Sequence, residues 1–347
     1  MANFNIDTLI RPNIKTLKPY ASARDEFKDF DKDMVFLDAN ENPFENGVNR
    51  YPDPQQLQLK LAISELKHIP VNQILLGNGS DEVLDLIFRA FCEPNKDNIL
   101  MLSPTYGMYE VLANINAVET ISVLLDDNFQ PQVDKILEAS NNQSKVLFLC
   151  SPNNPTANSF ERQSIEKLLL NFKGLVVIDE AYIDFSDQES WLSQLDKFPN
   201  LIVIQTLSKA YGLAGIRLGM CFASAEIIAV MNLLKPPYNV NQLTQQSALE
   251  RLKNSIQVSD EILIILQQRD TLISELKTIA FVQKVYPSDT NFILIKVDNA
   301  NLRYQQLIEK GIVIRNRSNQ PLCDHCLRLT IGTKEENLQL MNTLKTL

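Results

Sequence analysis

Three short apolar runs near the middle of the chain, residues 145–150 (KVLFLC), 175–178 (LVVI) and 201–204 (LIVI), do most to limit what it can fold into. Each is rich in β-branched residues and apolar at both odd and even positions. A strand of that kind has no face to offer to water. It belongs inside a parallel sheet covered on both sides by helical crossovers. The runs start at positions 145, 175 and 201, spaced widely enough for a crossover between neighbours. The first gap holds Ile165, Leu168 and Leu169 at helical spacing, with Gly174 as a stop beyond them. The reading is an α/β, doubly wound core.

Upstream, residues 74–76 read as a short strand that leads into Gly77-Asn78-Gly79-Ser80-Asp81-Glu82. A helix follows, with Val83, Leu84, Leu86, Ile87 and Ala90 on its apolar stripe. Ser80 or Gly79 is the expected N-cap, and the acidic pair falls in the first turn, where the helix dipole favours it. The last hundred residues have another rhythm: a long helix over 256–279, strands at 291–297, 312–315 and 327–331, and a helix near 301–310. That is an α+β pattern. The expected division is an N-terminal arm joined to part of the small domain (1–45), a large domain (46–240) and a smaller C-terminal domain (241–347).

Composition excludes several function classes. The net charge is −9 and the isoelectric point lies near 5.0, which argues against nucleic acid or an anionic membrane as the main partner. A local arginine cluster can still bind a small anion. No run approaches the roughly 18 apolar residues of a membrane span. Residues 1–7 show neither the basic nor the apolar region of a secretory signal, and Cys92, Cys150, Cys221, Cys323 and Cys326 are too scattered for a disulfide framework, so the expectation is cytoplasmic. Cys323-Asp324-His325-Cys326 invites a metal reading, but a structural zinc site wants four ligands and the sequence has no second Cys/His cluster. No metal is expected.

In open α/β sheets, ligands bind at the carboxyl ends of the strands. The first central strand is followed by Ser151-Pro152-Asn153-Asn154-Pro155-Thr156, the second ends in Asp179-Glu180-Ala181-Tyr182, and the third in Thr206-Leu207-Ser208-Lys209. An amide, a carboxylate, a phenol and a lysine therefore converge on one edge. Lys209 precedes Gly212, Gly215, Arg217 and Gly219. The small residues let backbone approach a ligand, and Arg217 is a permanent cation suited to phosphate. The 77–82 turn offers a second phosphate element, backbone N–H groups at a helix N-terminus. A lysine, a phosphate cradle and a buried Asp are the requirements of a pyridoxal 5'-phosphate site. Read one at a time, these residues have plainer explanations. A lysine after a buried strand can be a solvated helix-start residue, and Asp179-Glu180 can be a cap and a surface charge.

Taken in order, the motifs resemble those of the fold-type I pyridoxal-phosphate aminotransferases and, among these, the histidinol-phosphate aminotransferase family. They are Asn40-Glu41-Asn42-Pro43, Arg50-Tyr51-Pro52, the 77–82 turn, Ser103-Pro104-Thr105-Tyr106-Gly107-Met108-Tyr109, 151–156, 179–182, Ser208-Lys209 and Leu327-Arg328-Leu329-Thr330-Ile331-Gly332. The resemblance spans nearly the whole chain. It implies a large domain with a mostly parallel seven-stranded sheet flanked by helices, a smaller α+β domain and a homodimer. It also implies transfer of an amino group between a phosphorylated amino alcohol, L-histidinol phosphate, and 2-oxoglutarate, giving imidazole-acetol phosphate and L-glutamate. An aromatic-amino-acid transaminase or a phosphothreonine-type decarboxylase on the same fold is the alternative, and a catalytically dead regulatory module a more distant one.

Carried over by position, the resemblance implies that Lys209 is the Schiff-base lysine and proton carrier. Asp179 holds the pyridinium nitrogen, Asn154 and Tyr182 the ring's 3-oxygen, and Tyr106 stacks on the ring. Ser80, Asp81, Thr206, Ser208 and Arg217 bind the cofactor phosphate, with Tyr51 reaching in from the second subunit. Tyr20, Arg315 and Arg328 are the implied substrate residues, with Arg317 a competitor for the role of Arg315; Tyr109 is read as packing. One departure stands out: Ala157 follows Asn154-Pro155-Thr156, where the family has glycine. If that position requires positive φ, alanine costs about 1 kcal/mol.

Overall fold

The two-sided apolar runs become adjacent parallel strands at the centre of a large sheet. The computed structural model describes residues 4–18 and 35–347. Its strands are β1 (Ile74–Asn78), β2 (Asn98–Ser103), β3 (Glu119–Leu124), β4 (Ser144–Cys150), β5 (Leu175–Asp179), β6 (Leu201–Thr206), β7 (Leu218–Ala223), β8 (Val282–Val285), β9 (Phe292–Val297), β10 (Arg315–Asn316) and β11 (Cys326–Thr330). Its helices are α1 (Pro12–Lys15), α2 (Leu57–Lys67), α3 (Gly79–Phe91), α4 (Met108–Ile115), α5 (Val133–Ala139), α6 (Arg162–Asn171), α7 (Ala225–Leu234), α8 (Gln242–Lys253), α9 (Ser255–Leu276), α10 (Ala300–Glu309) and α11 (Lys334–Leu344).

The first sheet has the order β1-β7-β6-β5-β4-β2-β3. Only β7 runs against the rest, pairing antiparallel with both β1 and β6. The mostly parallel seven-stranded sheet is as the resemblance implied. Its alternation divides the core in two. Leu147, Leu149, Val176, Ile178, Leu201 and Val203 face one apolar cluster, and Val146, Phe148, Leu175, Val177, Ile202 and Ile204 face the other. Every residue of β5 and β6 is buried, which is why these strands read as unbroken apolar runs.

The second sheet, β10-β11-β9-β8, is antiparallel throughout. Ile293, Ile295, Val297, Leu327 and Leu329 turn one face toward α9 and α11, where Leu272, Leu276, Leu340 and Met341 complete a third cluster. The intervening Phe292, Leu294 and Cys326 join the core of the first sheet. Arg328 alternates with Leu327 and Leu329, so it shares that inward face.

Two local readings need correction. The strand expected at 312–315 is confined to Arg315–Asn316, because Ile312 donates its N–H to Leu307 O at 2.9 Å and closes the end of α10 instead. The N-cap of α3 is Asn78, not Ser80 or Gly79, and no side chain caps it in the usual sense. Glu82 reaches back instead and accepts the Asn78 N–H at 2.5 Å, which leaves the Ser80 hydroxyl out of the cap.

The seam between β1 and β7 fixes the 77–82 turn. Gly219 lies opposite Gly77 on one side and Thr206 on the other. A Cβ added there would meet Ser80 N at 2.3 Å and the Gly79 carbonyl carbon at 2.4 Å, both backbone atoms that cannot swing aside. The Gly219→Ala variant is therefore expected to lose about 1–3 kcal/mol of unfolding free energy to overpacking. Urea denaturation checks this, and an unchanged midpoint would contradict the tight contact.

Candidate active site at the carboxyl ends of the central strands

Parallel strands that end at one level deliver their following residues to one place. Cys150 pairs with Asp179 in register, and Asp179 with Ile204, so the segments after β4, β5 and β6 open side by side. Ten of the residues singled out in the sequence line one cavity there: Ser80, Asp81, Tyr106, Asn154, Asp179, Tyr182, Thr206, Ser208, Lys209 and Arg217. Cys150 and Ala181 line it as well.

The loop that presents Asn154 is held by its neighbour. Asn153, fully buried, donates to Pro104 O and Thr156 Oγ1 and accepts from Thr105 Oγ1, at 2.7–2.9 Å. Ala157 adopts φ of 70°, the left-handed backbone that glycine would take without strain. On the next strand, Asp179 and Glu180 are both buried, so neither is a surface charge. Glu180 anchors the following turn: Ser190 Oγ, Trp191 N–H and Gln205 Nε2 all donate to it. Asp179 points into the cavity. Its Oδ1 accepts the Ala181 N–H at 3.1 Å, and its Oδ2 accepts the Tyr109 hydroxyl at 2.8 Å.

Tyr109 was expected only to pack. It does pack, stacked on Phe148 with ring centroids 4.9 Å apart, but its hydroxyl is also the closest donor to Asp179. The signal available in the sequence was the three-residue spacing from Tyr106, whose ring meets Tyr109 edge-on at 5.6 Å. Nothing in that spacing revealed the carboxylate partner.

The phosphate-suited elements are tied together. Gly79 N–H donates to Arg217 O at 2.8 Å. Arg217, itself at φ of 58°, sends its guanidinium to Asp81 Oδ2 at 3.8 Å, and Tyr106 Oη donates to Asp81 Oδ1 at 3.0 Å. Thr206 Oγ1 donates to Leu218 O and accepts the Ser208 N–H. Lys209 Nζ stands 5.6 Å from the centroid of the Tyr182 ring.

The second sheet brings cations to this edge. Arg328 Nη1 donates to Asn154 Oδ1, so a strand of the second sheet touches the loop after β4. Arg315 pairs with Arg328 across the β10–β11 ladder but is exposed, whereas Arg317 is half-buried. Nε of both Arg317 and Arg328 is buried without a hydrogen-bond partner. Tyr51 lies elsewhere, stacked on Tyr238 at 4.5 Å and half-exposed in a separate cleft with Arg50 and Asn241. Tyr20 lies outside the described residues.

Burial raises the carboxyl of Asp179 to about 6, against the pull of the Tyr109 hydroxyl and the Ala181 N–H. Burial lowers the amine of Lys209, and the cation of Arg328 lowers it further, with Asp179 opposing. Arg328 is itself pushed down to about 10, first by burial and then by Arg317. Removing the Arg328 charge should therefore raise Lys209. In Arg328→Gln, the pH midpoint for reductive methylation of Lys209 in the cofactor-free protein is expected to move upward; a midpoint that stays or falls would contradict the coupling.

Comparison with known proteins agrees with the geometry. A family model described as aminotransferase class I and II matches residues 29–344. The histidinol-phosphate aminotransferase of Flavobacterium johnsoniae is 66% identical over 348 residues, covering 100% of each chain. Among solved structures, the histidinol-phosphate aminotransferase from Clostridium acetobutylicum has a TM-score of 0.79 at 26% identity, covering 86% of this chain and 90% of its own. The same enzyme from Sinorhizobium meliloti, solved in complex with pyridoxal-5'-phosphate, has a TM-score of 0.78 at 22% identity over 86% of this chain and 82% of its own. At that identity the likeness shows the fold alone. The chain belongs to the class I and II aminotransferases.

Proposed function

We propose that this chain is a histidinol-phosphate aminotransferase. It exchanges an amino group between L-histidinol phosphate and 2-oxoglutarate, giving imidazole-acetol phosphate and L-glutamate, in the biosynthesis of histidine. One observation carries the choice of substrate: the 66% identity, end to end, with a relative of that name.

The residues present fit pyridoxal phosphate. Asp179 is a buried carboxylate with no cation in ion-pair contact among the described residues, as a protonated ring nitrogen requires. Gly219 is packed so closely on Gly79 and Ser80 that only a bare backbone can form the turn which would receive the phosphate. Asp179 would hold the proton on the ring nitrogen. Asn154 and Tyr182 would donate to the ring 3-oxygen, and Tyr106 would cover one ring face. Ser80, Asp81, Thr206, Ser208 and Arg217 would hold the phosphate. When bound, the cofactor supplies an aldehyde for the amine and an electron-poor ring that accepts the pair left at Cα.

Lys209 moves the proton. Burial and Arg328 lower its amine, which puts more of it in the basic form near neutral pH. It would hold the cofactor's aldehyde carbon as the Schiff-base lysine and would carry the proton at the substrate Cα. Arg328 and Arg315 would receive an anionic group of the substrate. L-histidinol phosphate presents a phosphate and glutamate a carboxylate, and a guanidinium fork accepts either. Tyr20 is assigned to the same substrate pocket.

The same reading includes a homodimer. Val35 (83% exposed), Leu37 (87%) and Phe44 (79%) leave large apolar side chains in water just ahead of Tyr51, as a surface covered by a second copy would. Tyr51 of the partner subunit would then complete the phosphate site. An arm (1–45), a large domain (46–240) and a small domain (241–347) follow on this reading, and the enzyme is assigned to the cytoplasm. No helix among the described residues is long and apolar enough to cross a membrane.

Two measurements test the proposal. L-Histidinol phosphate alone should discharge the visible absorbance of the holoenzyme faster than phenylalanine at equal concentration; the reverse order would assign an aromatic substrate. Lys209→Ala should still bind cofactor yet lose transamination by a factor on the order of 10³ or more. A fully active Lys209→Ala enzyme would sink the assignment.

A further inference from the structure

Asp179 is the deepest charge in the site, and the hydroxyl that meets it comes from a residue with no assigned role. Tyr109 sits at the start of α4 with none of its surface exposed. Its ring is clamped between the face of Phe148 at 4.9 Å and the edge of Tyr106 at 5.6 Å. This grip fixes the hydroxyl 2.8 Å from Asp179 Oδ2, while the Ala181 N–H holds Oδ1 at 3.1 Å. The carboxylate plane is thus pinned at both oxygens. Tyr109 keeps the proton it donates under ordinary conditions, because burial and the neighbouring carboxylate push its hydroxyl well above the usual range.

We infer that Tyr109 is a positioning residue: its hydroxyl aims the Asp179 carboxylate and makes it a weaker base, so that the shared proton stays on the cofactor's ring nitrogen. This rests on the proposed pairing of Asp179 with that nitrogen and goes one residue further. In physical terms, Asp179 and the ring nitrogen compete for one proton. A donor on Oδ2 stabilises the ionised carboxylate and leaves the proton on nitrogen. Without it, the proton moves from nitrogen to Asp179 Oδ2, and the ring becomes neutral and a poorer electron sink. The other groups facing Asp179 do not substitute for Tyr109. Asp81 on α3 raises the carboxyl further, Lys209 lowers it only through space, and the buried Cys150 and Tyr182 and the half-buried Tyr106 are neutral.

The test is Tyr109→Phe, which keeps the ring and its stacking on Phe148 and removes one oxygen. The holoenzyme is loaded with pyridoxal phosphate labelled with ¹⁵N in the ring, without any amino substrate. The ring-nitrogen resonance is expected to move from the protonated toward the neutral position near neutral pH, and cofactor affinity to weaken roughly 10- to 100-fold, the scale of a hydrogen bond to a buried charge. A nitrogen signal that stays at the wild-type position overturns the inference. Weaker binding without movement of that signal overturns it too, since lost packing alone produces that pattern. Asp179→Asn is the reference: its nitrogen signal should go to the neutral position. If it does not, the pairing of Asp179 falls and the role of Tyr109 with it. If it does while Tyr109→Phe stays at wild type, only Tyr109 is wrong. Because no amino substrate is present, neither result depends on histidinol phosphate being the right one.

Discussion

Burying a carboxylate at the end of an apolar strand is the constraint around which this molecule is arranged. β5 is closed to water along its whole length, and Asp179 is its last residue. An ionised group in that position needs donors at both oxygens and a favourable field around it. The Ala181 N–H and the Tyr109 hydroxyl are those donors, and the Lys209 amine favours the charge through space without an ion pair. They come from three different connections: the turn after β5, the segment after β2 and the segment after β6. The order β6-β5-β4-β2 in the sheet is what brings them together.

How much of this was legible in the sequence depended on distance along the chain. β4, β5 and β6 could be read because each is a continuous apolar run whose two faces meet separate cores. Residues immediately after such strands were legible for the same reason, since strand ends set their place. β7 was not read. Its sequence, LGMCFA, is just as buried, but it is interrupted by Gly219, and its partner β1 lies far upstream. Reversed relative to its neighbours, it also needs no helical crossover to announce it. β8, with the alternation VQKV and two exposed residues, carried too weak a pattern. β10 shows the opposite failure: an apolar stretch looked like a strand, but the N–H of Ile312, its first residue, was already engaged in ending α10.

Side-chain partnerships were the least legible level. Glu180 and Asp179 are adjacent and chemically alike, yet one anchors Ser190, Trp191 and Gln205 while the other faces the cavity. Alternation along the strand predicts that they point apart, but only the fold decides which points into the site. Ala157 is the contrary case. A missing glycine flagged the position, and the backbone there is indeed left-handed. The strain is held in place by Asn153, whose carbonyl accepts the Ala157 N–H at 2.8 Å, and by Asp289, whose N–H binds the Ala157 carbonyl at 2.7 Å. Two backbone bonds thus hold a conformation that alanine alone would avoid.

Lys209 stands between two opposite fields. Asp179 raises its amine from the large sheet, and Arg328 lowers it from the small one. The first charge is fixed within the core; the second sits on a guanidinium whose Nε has no hydrogen-bond partner and whose neighbours are Arg315 and Arg317. Three like charges without a carboxylate partner among the described residues favour an anion. On the proposed reading that anion is the substrate's phosphate or carboxylate. Its arrival would cancel much of the Arg328 field, so the lysine would become more basic when a substrate is in place to give up its proton. The contact between Arg328 and Asn154 then does more than join two sheets. On that reading it would tie the group proposed to recognise the substrate's charge to the loop proposed to face the cofactor, and through Lys209 it would couple recognition to proton transfer.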